Sequence, residues 1–312
     1  SISENHPLSL GAGVQTTTLQ ARTWIDECDV VLALGSSMTN TPYGQTIDTN
    51  SKFLIHNTDN YEDINKDHYA DIILNGDTKL TIELLYEEIT DILGTTKINP
   101  DNTKIEKISK LKNKWLNEWK TNLNSNEIPI NPYRVINEIN KNIIPEKSIV
   151  THDAGAPRDQ IVPFFNSTVP HSYIGWGKTT HLGFSIPLMI GAKKANPDKF
   201  CLNLMGDGAF GMSGLDIETA VRAELPITTI ILNNGGMATY PGGFPNARKN
   251  FGVSYMKGNY AQIAEGMGAK GIIVRSIDEL GKAIKDAQIE NKNGNTVLID
   301  IHTGYDDKRS KW

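Results

Sequence analysis

The residues with the clearest chemistry are a short glycine-rich turn and a pair of asparagines that follows it. The turn reads Gly206-Asp207-Gly208-Ala209, and Asn233-Asn234 ends the next apolar run. Because apolar runs at residues 200–205 and 227–232 precede them, both motifs should lie at the carboxyl ends of buried parallel strands. Ligands of open parallel sheets collect at that edge. A carboxylate, an amide oxygen and backbone carbonyls suit Mg²⁺ with a diphosphate, so the pattern predicts that site.

Other interpretations exist for the same residues. A Gly-Asp-Gly turn or an Asn-Asn pair is ordinary loop chemistry on its own. The stretch from Gly206 to Gly211 also satisfies the Gly-x-Gly-x-x-Gly fingerprint, which would indicate an NAD-dependent oxidoreductase. Against that alternative, the Asp207 carboxylate would repel a pyrophosphate unless a cation intervenes. The fingerprint also needs an acid at the end of the next strand, where Asn233 and Asn234 stand.

The two motifs resemble the cofactor signature of thiamine diphosphate enzymes in the acetolactate synthase and 2-oxo-acid decarboxylase superfamily. Further likeness lies at residues 183–193, 218–226 and 260–269, so that the resemblance covers most of residues 146–302. It implies a thiamine diphosphate- and Mg²⁺-dependent decarboxylase or carboligase, a lyase or transferase that acts on a small-molecule 2-oxo acid. The thiazolium carbanion of the cofactor would attack that acid, so the cofactor carries the chemistry.

The resemblance also implies roles for individual residues. The metal ligands would be Asp207, the side chain of Asn234 and the backbone carbonyl of Gly236. The other cofactor contacts would be Gly206, Gly208, Ala209, Gly155 and Leu182. Asp207 is expected at a solvent-facing strand end with the metal as its main partner. Leu182 takes the place of the bulky apolar residue that bends the cofactor, and plain core packing is its alternative interpretation.

Substrate selection is expected in residues 237–252, which follow the metal loop. The candidate side chains there are Met237, Tyr240, Phe244 and Arg248. The Arg248 guanidinium could pair with a substrate carboxylate, whereas a solvated loop arginine is the commoner case.

The resemblance implies that the catalytic Glu, which activates the aminopyrimidine ring, is not within these residues. It is expected in a pyrimidine-binding domain, either in a missing N-terminal segment or in another chain, and a homo-oligomer is expected.

Residues 29–77 resemble the middle domain that holds FAD in flavin-binding members. Because the turn at residues 35–37 lacks a basic residue, a structural domain is favoured over an FAD site. A non-catalytic regulatory or assembly subunit is the alternative, which the intact Asp207 and Asn234 disfavour.

Composition and periodicity indicate an α/β enzyme of the cytoplasm. The 312 residues carry a net charge of −5 and no basic patch, which excludes nucleic acid as a partner. The sequence has no apolar span of membrane length, and its two cysteines lie in or beside apolar runs. Alternating strand and helix patterns predict a doubly wound parallel sheet at residues 132–312. A smaller, partial α/β domain at residues 1–123 and a linker at residues 124–131 precede it.

Overall fold

The computed structural model forms two compact units. The structure describes residues 2–12, 16–40, 47–94, 101–175, 181–237, 243–253 and 255–311. The smaller unit contains residues 10–112 and 311–312, and the larger contains residues 1–9 and 113–310. The division falls within one helix, Asn102–Leu123. The linker that the sequence indicates at residues 124–131, and the domain bounds on either side of it, stay a prediction.

The smaller unit is built on a parallel three-stranded sheet in the order β1-β2-β3. Its strands are β1 (Val30–Leu34), β2 (Phe53–Thr58) and β3 (Ile72–Asn75), and its helices are α1 (Leu19–Glu27), α2 (Thr78–Leu93) and the first half of α3 (Asn102–Leu123). Asp77 begins α2 by accepting the N–H of Leu80, and Gly94 ends it with a φ of 56°. None of the residues of α2 is buried, so this unit has a small core.

The larger unit is a parallel six-stranded sheet flanked by helices. Its strands are β4 (Ser148–His152), β5 (Tyr173–Ile174), β6 (Phe200–Gly206), β7 (Thr228–Asn233), β8 (Lys270–Val274) and β9 (Val297–His302). Its helices are α4 (Pro132–Asn142), α5 (Ala156–Ile161), α6 (Ser185–Ala195), α7 (Asp207–Ser213), α8 (Asp216–Arg222), α9 (Pro245–Phe251), α10 (Tyr260–Gly266) and α11 (Ile277–Lys292). The predicted α/β fold is confirmed.

The strand order places a crossing point between β4 and β6 in this sheet. The order is β5-β4-β6-β7-β9-β8, so the chain leaves β4 towards one edge and returns to lay β6 on its other side. After β7 the chain runs to the opposite edge as β8 and returns to place β9 between β7 and β8. Loops diverge above such points and leave a crevice at the carboxyl ends of the strands. The fold therefore predicts that the loops after β4, β6 and β7 form a binding site.

An aromatic cluster within the larger unit packs the second half of α3 against neighbouring elements. Trp115 stacks on Phe164 with ring centroids 4.8 Å apart, and Trp119 lies 4.7 Å from the ring of Tyr133. Both tryptophans are buried, and their spacing of four residues places them on one face of the helix.

None of the helices in the part of the chain that the structure describes is long and apolar enough to cross a membrane.

Candidate functional site

Asp207 lies where β6 passes directly into α7. Its side chain is only 2% exposed. One carboxylate oxygen accepts the N–H of Gly208 at 2.8 Å, and the other accepts the N–H of Gly235 at 2.9 Å. Burial raises the pKa of the Asp207 carboxyl, and hydrogen bonds from backbone N–H groups oppose that rise. The expectation of a solvent-facing carboxylate was wrong, since Asp207 is buried and its carboxylate accepts the N–H of Gly235, at the start of the loop after β7.

The loop after β7 brings Asn234 to Asp207. Gly235 adopts a φ of 66°, which a glycine accepts without strain and which turns its N–H towards the Asp207 carboxylate. The side-chain oxygen of Asn234 accepts the N–H of Gly236 at 2.9 Å. The turn that contains Asp207 is therefore joined by a hydrogen bond to the residue that follows the asparagine pair.

Asn233 makes different hydrogen bonds from Asn234. Its side-chain amide donates to Asp300 at 2.9 Å, and the second carboxylate oxygen of Asp300 accepts the N–H of Tyr260 at 3.1 Å. Asp300 is 1% exposed and ties the end of β7 to the start of α10. Sequence analysis missed it, although a lone acid in the apolar run of β9 was a usable signal.

The loop after β4 lies beside the loop after β6. Gly155 precedes α5 with a φ of 81°, and no heavy atom lies within 4 Å of the position that a Cβ would take there. A Cβ on Gly206 would come within 3.9 Å of the Pro157 ring. The site therefore has an open side at Gly155, next to the turn that carries Asp207.

The segment before α6 completes this edge of the sheet. Leu182 is partly buried and packs against the hydrophobic core of the unit. Gly183 has a φ of 87°, and a Cβ there would lie 3.2 Å from Met212 and 3.1 Å from Ser213, both in α7. The buried carboxyl of Asp153 accepts the N–H of Gly183 at 2.9 Å. The sequence pattern indicated Gly155 in the loop after β4 but not this contact of Asp153.

The predicted substrate residues are only partly brought together. The side chain of Met237 covers Gly208, where a Cβ would meet its Cγ at 3.2 Å. Arg248 donates a long hydrogen bond of 3.5 Å to the backbone carbonyl of Met237. Phe244 is 57% exposed at the start of α9. Tyr240 lies outside the described residues.

The chain matches two models of one enzyme family. Residues 1–85 match the central domain of thiamine pyrophosphate enzymes, and residues 153–301 match their C-terminal thiamine pyrophosphate binding domain.

Three relatives are similar to this chain over most of its length. The probable acetolactate synthase large subunit of Methanococcus aeolicus is 28% identical, over 92% of this chain and 49% of that protein. The sulfoacetaldehyde acetyltransferase of Alcaligenes xylosoxydans is 28% identical, over 95% of this chain and 53% of that protein. The 2-hydroxyacyl-CoA lyase of Arabidopsis thaliana is 26% identical, over 91% of this chain and 52% of that protein. The chain thus spans about half the length of these relatives. Since its central and C-terminal parts both match the models, the chain belongs to the thiamine pyrophosphate enzyme family.

Proposed function

We propose that this chain binds thiamine diphosphate and Mg²⁺ as part of an enzyme that decarboxylates a 2-oxo acid or joins it to a second carbonyl compound. One observation carries the proposal: the Asp207 carboxylate and the Asn234 loop are linked through Gly235 at the central crevice of the sheet. The names of the three relatives, a synthase, an acetyltransferase and a lyase, agree with this range of reactions.

The donor groups at this edge fit Mg²⁺. Among the described residues, no group of three or more His, Cys, Asp or Glu side chains could hold a metal ion. A cation would therefore have one carboxylate from Asp207, one amide oxygen from Asn234 and the backbone carbonyl of Gly236, all oxygen donors. Mg²⁺ accepts such a sparse set because phosphate oxygens and water complete its shell. In this role the ion anchors the diphosphate and offsets its charge.

The glycines around Asp207 fit a diphosphate. Gly155 leaves an open space in the loop after β4, and a side chain at Gly208 would press on Met237. The backbone N–H groups of Gly208 and Ala209 stand in the first turn of α7, where anions are favoured, and the N–H of Gly208 also donates to Asp207. Gly206, at the end of β6, lets the Pro157 loop approach. We therefore assign the diphosphate to the backbone of four residues, Gly155, Gly206, Gly208 and Ala209.

The reactive part of the cofactor would extend over Leu182. When bound, thiamine diphosphate supplies the nucleophilic carbon that adds to the 2-oxo group and takes up the electrons left when CO₂ departs. Leu182 would support the cofactor from below. Met237 and Arg248 would face the substrate, with the guanidinium as the partner of its carboxylate. A pyrimidine-binding domain, from another part of the protein or another subunit, would supply the activating Glu in an oligomer.

Ligand titration tests the proposal against its alternatives. The melting temperature of the chain is measured with thiamine diphosphate plus Mg²⁺, with each alone, and with NADH. We expect a rise only with the cofactor and the metal together, since a ligand that binds the native state stabilises it. A rise with NADH instead would indicate an oxidoreductase, and no rise with any ligand would indicate a non-catalytic subunit.

Shortening Leu182 to alanine should slow turnover in a complete enzyme more than it weakens cofactor affinity. The diphosphate anchor at Asp207 and Asn234 would remain, whereas the support under the cofactor would be lost. Steady-state kcat and the Kd of thiamine diphosphate are compared with those of the unaltered enzyme. If Leu182 only fills the core, the variant should instead lose about 2 to 5 kcal/mol of stability with kcat unchanged in its folded fraction.

A further inference from the structure

We propose that Asp153 is a positioning residue for the cofactor, which fixes the diphosphate loop after β4 and the Leu182 segment to each other through one carboxyl group. This inference rests on the proposed function, because those two segments would hold opposite ends of the cofactor. Asp153 would touch neither the cofactor nor the substrate.

The contacts of Asp153 join segments that are distant along the chain. Its Oδ1 accepts the N–H of Ala154 at 2.8 Å and that of Gly183 at 2.9 Å, and its Oδ2 accepts the N–H of Ser185 at 3.1 Å. The residue is fully buried, and its own N–H donates to the carbonyl of Leu204 in β6 at 2.7 Å. Asp153 is thereby fixed to the sheet while its carboxyl holds the segment that contains Leu182.

Asp153 also replaces a missing helix cap. The first N–H groups of a helix have no partner inside it. In α6 the N-cap residue is Phe184, whose ring has no oxygen to accept them. The carboxyl of Asp153 accepts the N–H of Ser185, the first residue of α6, and its charge is favourable at a helix N-terminus. Removing the carboxyl should therefore loosen the start of α6 together with Leu182.

A buried polar network supports the same segment from the sheet. The side chain of Asn203 in β6 donates to Ser185 Oγ at 3.2 Å and accepts from Thr229 Oγ1 in β7 at 2.9 Å. All three side chains are fully buried. This network reaches Ser185 but not Gly183, whose N–H, next to Leu182, donates to Asp153.

Amide hydrogen exchange of the cofactor-free chain tests the link directly. We expect Asp153→Ala to raise the exchange rates of the Gly183 and Ser185 N–H groups by about tenfold or more, because their acceptor is gone. Asp153→Asn keeps one oxygen acceptor, so it should raise these rates less. Thiamine diphosphate, titrated with Mg²⁺ in excess, should bind Asp153→Ala about tenfold more weakly than it binds the unaltered chain.

Asn291→Ala is the matched control. Asn291 is also buried, and it accepts from Thr228 at 2.9 Å and donates to the carbonyl of Asn295 at 2.8 Å. These contacts lie at the amino end of β7, opposite the proposed site. This variant should lose stability yet leave the exchange of Gly183 and Ser185 and the affinity for the cofactor unchanged.

The outcomes separate the two proposals. Equal exchange at Gly183 and Ser185 in Asp153→Ala and Asn291→Ala would overturn the role of Asp153, and so would unchanged cofactor affinity in a folded Asp153→Ala. Failure of the unaltered chain to bind thiamine diphosphate would overturn the proposed function, while the exchange experiment would still decide whether Asp153 holds the two segments. If neither Asp153 variant folds, amide exchange in the unaltered chain tests the role of Asp153. Fast exchange of the Gly183 and Ser185 N–H groups would contradict their hydrogen bonds to Asp153 and overturn that role.

Discussion

Replacing Asp207 by alanine should abolish the rise in melting temperature that thiamine diphosphate plus Mg²⁺ gives the unaltered chain. Asp207 is the carboxylate of the proposed metal site, so its loss leaves the charge of the diphosphate without its anchored cation. Removing it also leaves the N–H groups of Gly208 and Gly235 without their acceptor. We therefore expect a loss of stability as well, of about 1 to 3 kcal/mol for each N–H that stays buried and unpaired.

Differential scanning calorimetry with and without ligands measures both effects. Asn291→Ala serves as the control, because it should lower the melting temperature without removing the rise on ligand addition. Asp207→Asn keeps the shape of the side chain and removes its charge, so it should lose most of the rise with a smaller loss of stability. The same rise in Asp207→Ala and the unaltered chain would refute the assignment of the metal site.

The second large effect concerns catalysis by the 312 residues alone. We expect them to turn over 2-oxo acids far more slowly than full-length relatives, even when saturated with thiamine diphosphate and Mg²⁺. The expected activating Glu belongs to a pyrimidine-binding domain, and this chain spans about half the length of the relatives it matches. Lost general acid–base assistance typically costs roughly 10²- to 10⁴-fold in rate.

Release of CO₂ from pyruvate and from longer 2-oxo acids provides the assay. Adding the pyrimidine-binding domain should restore activity, whereas adding the same domain with its activating Glu changed to Gln should not. Rates comparable to those of full-length relatives without that domain would show that a carboxyl group of this chain supplies the catalytic acid.

Sequence reasoning was most reliable where one strong local signal was present. Apolar runs bounded by glycine or asparagine predicted β6 and β7. The meeting of Asp207 with the Asn234 loop followed from strand direction alone, because parallel strands end at one edge.

Contacts between distant segments were harder to predict. The contact between Asp207 and the start of the loop after β7 depends on Gly235, whose φ of 66° allows its N–H to donate to the carboxylate. Asp153 and Asp300 act on N–H groups of Gly183 and Tyr260, which are remote in sequence. The spacing of apolar residues along the sequence does not indicate such contacts between remote residues. Helix α1 was also missed, although the Thr18 side chain that accepts the N–H of Ala21 is a local signal for a helix start.

The strand order of the larger sheet also sets when the site can form during folding. Every pairing there is parallel and joins distant segments, as Ser148 with Phe200 and Thr228 with Val297. Sheets of this kind fold slowly, because chain entropy is lost before the contacts form. The proposed cofactor edge is assembled from the ends of three such strands, so it should be complete only late in folding. Thiamine diphosphate should then leave the refolding rate unchanged and slow unfolding. During protein synthesis, the cofactor should therefore stabilise domains that have already folded and should not speed their folding.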